Sequence, residues 1–279
     1  MNTPDISVII PLYNKEAIIE RTVKSVLNQS FTSFELIIVN DGSTDKSLEI
    51  VKNIQDDRLV IVNQTNSGPS KARNTGAKAA KADWIIFLDA DDELTTGALA
   101  HFVTLKSNGI EIYCCEYVVN QMGRQHQDFI YQNRIINNGY KAWLFKECIP
   151  RTGATMYSKS LVLKCPFNET IRRFEDLECF LRMFSYSRIL LSNRVVLTVN
   201  IDYAAASTAR RSITKDFLGH LDFSSKSFWE YMVLYQFYLG EREYYPKEVK
   251  QLYPNLHRRY DLLILYKIIL LLKKLHVFA

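Results

Sequence analysis

The chain is predicted to be an α/β protein, a mostly parallel central sheet with helices on both faces, continued by a helical C-terminal extension. Two observations predict this. Over residues 1–95, four short apolar runs alternate with segments of helical periodicity, the repeating β-α pattern that yields a parallel sheet covered on both sides. From Asp216 onward the sequence turns helical and aromatic-rich.

Ile6–Leu12 is a nearly continuous apolar run, as in a strand buried on both faces. A helix follows, with Ile19, Val23, Val26 and Leu27 sharing one face. Residues 34–39 form a second buried strand ending in Asn40-Asp41-Gly42. Ser43 or Thr44 is placed to cap the next helix, with Asp45 near its positive end. Residues 59–62 read as a third strand, and Gly68-Pro69 opens an Ala- and Lys-rich helix to about residue 81. The fourth strand, 84–88, is terminated by Asp89-Ala90-Asp91-Asp92. Beyond it, residues 110–119 read as a strand and 142–146 as part of a helix. The stretches 156–163 and 190–199 contain strands, with a helix from 176 to about 185 between them. No linker sharp enough to cut the chain precedes about residue 205.

With 47% hydrophobic and 23% charged residues, the chain of 279 residues has an ordinary globular composition. Its net charge of +5 is local: residues 1–204 hold 23 basic and 23 acidic side chains, and 205–279 hold 12 and 7. Five cysteines, an odd number without a C-x-x-C pair, fit neither a disulfide framework nor a zinc site and suit a reducing cytoplasm. The N-terminus lacks a signal-peptide pattern, and no apolar run is long enough to span a bilayer. The expected location is therefore cytoplasmic.

Ligands of such sheets bind beyond the carboxyl ends of the strands. Tyr13-Asn14, Asp41-Gly42-Ser43 and the Asp89–Asp92 cluster fall there and are expected to converge. The sequence holds no G-x-G and no G-x-x-x-x-G-K-[ST], which removes the dinucleotide fingerprint and the ATPase phosphate loop. Carboxylates at 89, 91 and 92 repel one another unless a cation sits among them. A hard divalent ion, Mn²⁺ or Mg²⁺, suits such oxygen ligands and commonly bridges to substrate phosphates. Alone, the D-x-D pattern equally describes a solvated acidic turn.

Its context is more specific. Ser7-Val8-Ile9-Ile10-Pro11-Leu12-Tyr13-Asn14, Ser25-Val26-Leu27-Asn28-Gln29-Ser30-Phe31, Val39-Asn40-Asp41-Gly42-Ser43-Thr44-Asp45, the run from Asn66 to Gly76 and Phe87-Leu88-Asp89-Ala90-Asp91-Asp92 follow in order. Together they resemble the family-2 glycosyltransferases of the GT-A fold, of the bacterial surface-polysaccharide type, densely over residues 5–95 and thinly to about 210. The resemblance implies a nucleotide-sugar donor, with Pro11 and Tyr13 lining the base pocket, Asp41 accepting from a uracil and Arg73 fixing the nucleotide. It implies Asp89 near the ribose, Asp91 as the principal metal ligand with Asp89 beside it, and a metal that stabilises the diphosphate leaving group. Arg172-Arg173-Phe174-Glu175-Asp176 looks like the family's Glu-Asp motif, which makes Asp176 the base for an inverting transfer and Glu175 a positioning group. A helix start enriched in acids is the plainer account of the same residues. One departure concerns the cover of the diphosphate: where the family often has a basic residue after a tyrosine, this chain reads Asp202-Tyr203-Ala204-Ala205-Ala206-Ser207, and Arg210 or Arg211 is the available substitute.

The resemblance divides the chain into a GT-A catalytic domain, 1–210, with nucleotide-binding (1–95) and acceptor-binding (96–210) halves, and a helical extension, 211–279. The extension holds 14 of the 34 aromatic residues. Its last helix combines a wide apolar face with Lys267 and Lys274 on one side, a pattern that suits the interface of an anionic membrane at the inner face of the cell and equally a helix packed on protein. Interleaved basic and aromatic residues also occur in nucleic-acid binders, but the sugar-nucleotide motifs set that partner aside. The function expected is metal-dependent transfer of one sugar from a UDP-sugar to a glycan or lipid-linked acceptor. A processive synthase is disfavoured, since no tryptophan follows an arginine in a Gln-x-x-Arg-Trp motif. The rival from another class is a catalytically silent sugar-nucleotide-binding or scaffold protein held at the membrane.

Overall fold

Four strands run parallel at the start of the chain because their residues are apolar on both faces and each is joined to the next by a crossover: β1 (Ile6–Leu12), β2 (Phe34–Asn40), β3 (Leu59–Asn63) and β4 (Trp84–Phe87). The computed structural model describes residues 3–127, 130–203, 212–224, 226–256 and 259–274. The crossovers are α1 (Ile19–Leu27), α2 (Ser47–Lys52) and α3 (Pro69–Ala79). The chain then adds β5 (Glu93–Leu94), α4 (Ala98–Leu105), β6 (Ile110–Gln121), β7 (Arg124–His126), β8 (Arg134–Ile136) and α5 (Gly139–Leu144). It continues with β9 (Thr155–Ser158), α6 (Lys159–Lys164), α7 (Glu175–Met183), β10 (Arg188–Asn200), α8 (Phe228–Glu241), α9 (Pro246–Leu252) and α10 (Tyr260–Lys274). The sheet order is β3-β2-β1-β4-β9-β6-β10-β5, with β7 on β6 and β8 on β10.

Alternate residues of the central strands feed two apolar layers. Val8, Ile10, Leu36 and Ile38 pack with α1 and α4, whereas Ile9, Ile37 and Val39 pack on the α3 side. That second layer runs without a break into Met232, Val233, Val249, Leu262 and Ile269 of the C-terminal helices. Each such side chain, when fully buried, contributes about 1.5–3 kcal/mol, so the extension shares the core of the sheet. The boundary expected at 210 lies outside the described residues, as do Arg210 and Arg211, the substitutes expected over the diphosphate.

Several boundaries differ from expectation for local reasons. The stretch 156–163 is a strand only to Ser158, whose Oγ accepts from the Leu161 N–H at 3.1 Å and starts α6. Helix α5 begins at Gly139 because Asn138 caps it, accepting from the Lys141 N–H at 2.9 Å. Neither Ser43 nor Thr44 caps α2: both are drawn to the loop after β1, and Asp45 takes the Ser47 N–H at 2.9 Å. Strands β5, β7 and β8 are two or three residues long and carry no periodic signal. Among the described residues no helix is long and apolar enough to cross a membrane.

Candidate active site

The parallel register carries the polar ends of β1, β2 and β4 to one edge: Leu12 pairs with Asn40, and Ile9 with Phe87. Pro11, last but one in β1, is half-buried, and Tyr13, just past the strand, is 46% exposed with its ring free of the core. Asn14 adopts a left-handed φ of 50°, and its Oδ1 accepts from the Thr44 N–H at 2.8 Å, tying the two loops together. Gly42 has a φ of +71°, and a Cβ there would lie 2.9 Å from the Asn66 nitrogen, so only glycine fits.

Asp41 is 3% exposed and already accepts three hydrogen bonds, from the N–H groups of Ser67 (2.8 Å) and Gly68 (2.7 Å) and from Gln64 Nε2 (2.7 Å). It thus organises the 64–68 loop as well as facing the strand ends. Gly68 leaves room for Arg172, whose guanidinium would be 1.6 Å from a Cβ at that position.

Arg73, on α3, joins the two halves of the chain. Its Nη2 donates to Asp89 Oδ1 at 2.7 Å and its Nη1 to Glu175 Oε1 at 3.1 Å. Burial opposes its charge, but Asp89 and Glu175 more than offset this and hold the guanidinium protonated. Burial also acts on Asp89, yet Arg73, with Arg151 and Thr152, keeps its carboxyl below the usual range. Thr152 Oγ1 donates to Asp89 Oδ2 at 3.2 Å.

Burial and its neighbours Asp89 and Asp91 push Asp92 up to about 8, while its Oδ1 accepts from the Asn200 N–H at 3.0 Å. Asp91 is raised by burial, against the pull of Lys15. Lys15 Nζ lies 2.6 Å from Asp91 Oδ2, an ammonium standing where a cation is wanted. Asn200 Nδ2 fastens the cluster further, donating to the Asp91 carbonyl at 2.9 Å.

Glu175 and Asp176 open α7, where the helix dipole favours carboxylates. Burial raises Glu175, with Arg73 pulling the other way. Asp176 is half-buried, and its Oδ1 accepts from the Leu177 N–H at 2.8 Å. Its charge acts on both Arg73 and Arg151. Phe174 before them has a left-handed φ of 61°, a conformation costing of order 1–3 kcal/mol that persists where the surroundings hold it. Here Phe237 of α8 meets its ring edge-on at 5.0 Å. Arg173 is clamped at 2.8 Å by both Asp216 and Glu241.

Among the described residues no group of three or more acidic, His or Cys side chains is set to hold a metal. One or two carboxylates, Asp91 and its neighbour Asp89, would suit a Mg²⁺ whose shell substrate phosphates complete. The chemistry of the site therefore fits a divalent ion that arrives with its ligand. Lys15, Arg151, Thr152 and Asn200 went unread in the sequence. Lys15 adjoins a motif and was legible as a cation at a strand end; the other three carry no local signal.

Comparison with known proteins agrees with this geometry. The glycosyl transferase family 2 model matches residues 7–165. A Campylobacter jejuni protein named GalNAc(5)-diNAcBac-PP-undecaprenol beta-1,3-glucosyltransferase is 33% identical over 130 residues, 45% of this chain and 42% of that one. The matched segments span about two fifths of the length of the curated relatives. S. aureus TarS 1–349, solved with UDP-GlcNAc, superposes with a TM-score of 0.72 at 19% identity, over 88% of this chain and 77% of that one. The mannosyltransferase PcManGT from Pyrobaculum calidifontis, solved with GDP-Man and Mn²⁺, gives a TM-score of 0.57 at 16% identity, over 92% and 71%. The fold is that of these GT-A enzymes.

Proposed function

The chain belongs to glycosyl transferase family 2, and from that premise we propose that it moves one sugar from a UDP-sugar to a glycan or lipid-linked acceptor in cell-surface polysaccharide synthesis, with inversion. The observation that carries this reading is Arg73, whose two ends bind Asp89 from the donor side and Glu175 beside Asp176 from the acceptor side. Tyr13 offers its exposed ring to the base, a stacking surface. Asp41 has one lone-pair direction left for a base N–H once its three internal donors are counted. Asp89 lies toward the ribose. Asp91, with Asp89 beside it, would hold Mn²⁺ or Mg²⁺, which neutralises the diphosphate as it leaves. Asp176 takes the proton of the acceptor hydroxyl, and Glu175, fixed by Arg73, keeps the base and acceptor in register. The UDP-GlcNAc held by TarS and the undecaprenol in the name of the C. jejuni relative support the donor and acceptor classes; the Mn²⁺ held by PcManGT supports the metal.

The test is transfer from a panel of sugar nucleotides with and without Mn²⁺. Asp176→Asn is expected to lower the transfer rate about 10²–10⁴-fold while donor binding, followed by thermal shift, persists. A wild-type rate in that variant would overturn the mechanism. A wild-type chain that binds sugar nucleotides and never transfers or hydrolyses them would be a silent binding module.

A further inference from the structure

Two arginines stand among the carboxylates of the site, and they are differently employed. Arg73 is 5% exposed, its Nη atoms are taken by Asp89 and Glu175, and its Nε is buried without a partner. Both of its Nη groups are spent on the link between the two halves. Arg151 is half-buried, and among the described residues its guanidinium makes no hydrogen bond or ion pair. Its Cζ lies 5.7 Å from the centre of the Tyr117 ring, within reach of a cation–π contact.

Its backbone is also fixed. The next residue, Thr152, bonds Asp89 at 3.2 Å. A Cβ on Gly153 would sit 2.6 Å from Leu197 and 3.0 Å from Leu88, so the turn lies tight against β10 and against the residue that precedes Asp89. Burial opposes the charge of Arg151, but the carboxylates of Asp92, Asp89 and Asp176 more than offset it. A guanidinium one residue from the Thr152 that bonds Asp89, with its N–H fork uncommitted, is shaped for a phosphate.

We propose that Arg151 grips the diphosphate of the donor, supplying the cation that the Asp202-Tyr203 stretch does not carry. The inference rests on the nucleotide-sugar reading above. With Arg151 on the leaving group, the charge released as the sugar departs meets a fixed donor fork.

The experiment compares binding of UDP and of uridine to the full chain, by calorimetry for UDP and ligand-observed NMR for uridine, in wild type, Arg151→Ala and Arg151→Lys. Arg151→Ala is expected to weaken UDP at least tenfold and leave uridine unchanged, and Arg151→Lys to restore part of the loss. Retained uridine binding shows that the variant is folded. UDP affinity equal to wild type would overturn the proposal, as would a parallel loss of UDP and uridine. A fall in transfer rate at unaltered UDP affinity would make Arg151 a positioning residue for Asp176 instead. A wild-type chain that takes up neither UDP nor GDP would overturn the nucleotide-sugar reading and this inference with it.

Discussion

Lys15 follows Asn14 at the end of β1, and its ammonium reaches Asp91 at 2.6 Å with both side chains about 15% exposed. A charge-assisted contact in that partly dry setting is stronger than an exposed ion pair. A divalent ion bound through Asp91 must share or displace it. Lys15→Met is therefore expected to bind Mn²⁺ about tenfold more tightly, about 1.4 kcal/mol, in a titration without nucleotide. An unchanged or weaker affinity would mean that the ion does not use the Asp91 oxygen that Lys15 holds. The expected site residues also behave unequally at this scale. Tyr13 stays exposed for a ligand, whereas Asp41 and Arg73 are buried and satisfy other protein groups. Residue type announces charge, but only the neighbours show how much of it is already spent.

Between elements, the contact that matters is α8 against the start of α7. The edge of Phe237 and the carboxylate of Glu241 hold Phe174 and Arg173, and through them the backbone that presents Glu175 and Asp176. Glu241→Gln keeps the shape and removes one charge from an Arg173 clamp whose side chains are 18% and 16% exposed. We expect about 1–3 kcal/mol of lost stability and a fall in kcat of roughly three- to tenfold, with the KM for the donor unchanged. A donor KM that rises in step with the fall in kcat would show that α8 supports the whole fold and not the base in particular. The helix from 176 was legible from its acidic start and apolar spacing. Its dependence on α8 was not, because Phe174 and Phe237 are 63 residues apart and meet only in the folded chain.

The whole molecule presents two faces of α10. Leu262 and Ile269 are buried, and the Tyr266 ring meets Tyr235 at 6.5 Å. Lys273 is tied to the Phe145 carbonyl and lies 3.9 Å from Glu147. On the other side Ile264, Leu265, Ile268 and Leu271 are exposed, flanked by Lys267 and Lys274. The helix thus packs on protein with one face, and we propose that the other rests on an anionic membrane. Vesicles containing phosphatidylglycerol should sediment the wild type, while Ile264→Glu/Leu271→Glu should stay in solution with its transfer to a soluble acceptor retained. Equal sedimentation of the two would overturn the docking.

The sequence by itself determined the α/β class, the order of the first four strands and the family, because buried parallel strands are apolar throughout and because the motifs sit at strand ends, where the parallel register must bring them together. It also located the acidic cluster and the Glu-Asp pair. Only the tertiary structure decided which cation meets which carboxylate. Arg73 spans Asp89 and Glu175, Lys15 sits on Asp91, and Arg151, next to the Thr152 that bonds Asp89, is left with open donors. Those partners lie 16 to 102 residues apart. No periodicity records such distances, since charges select partners by position in space and desolvation, and both exist only once the chain has folded.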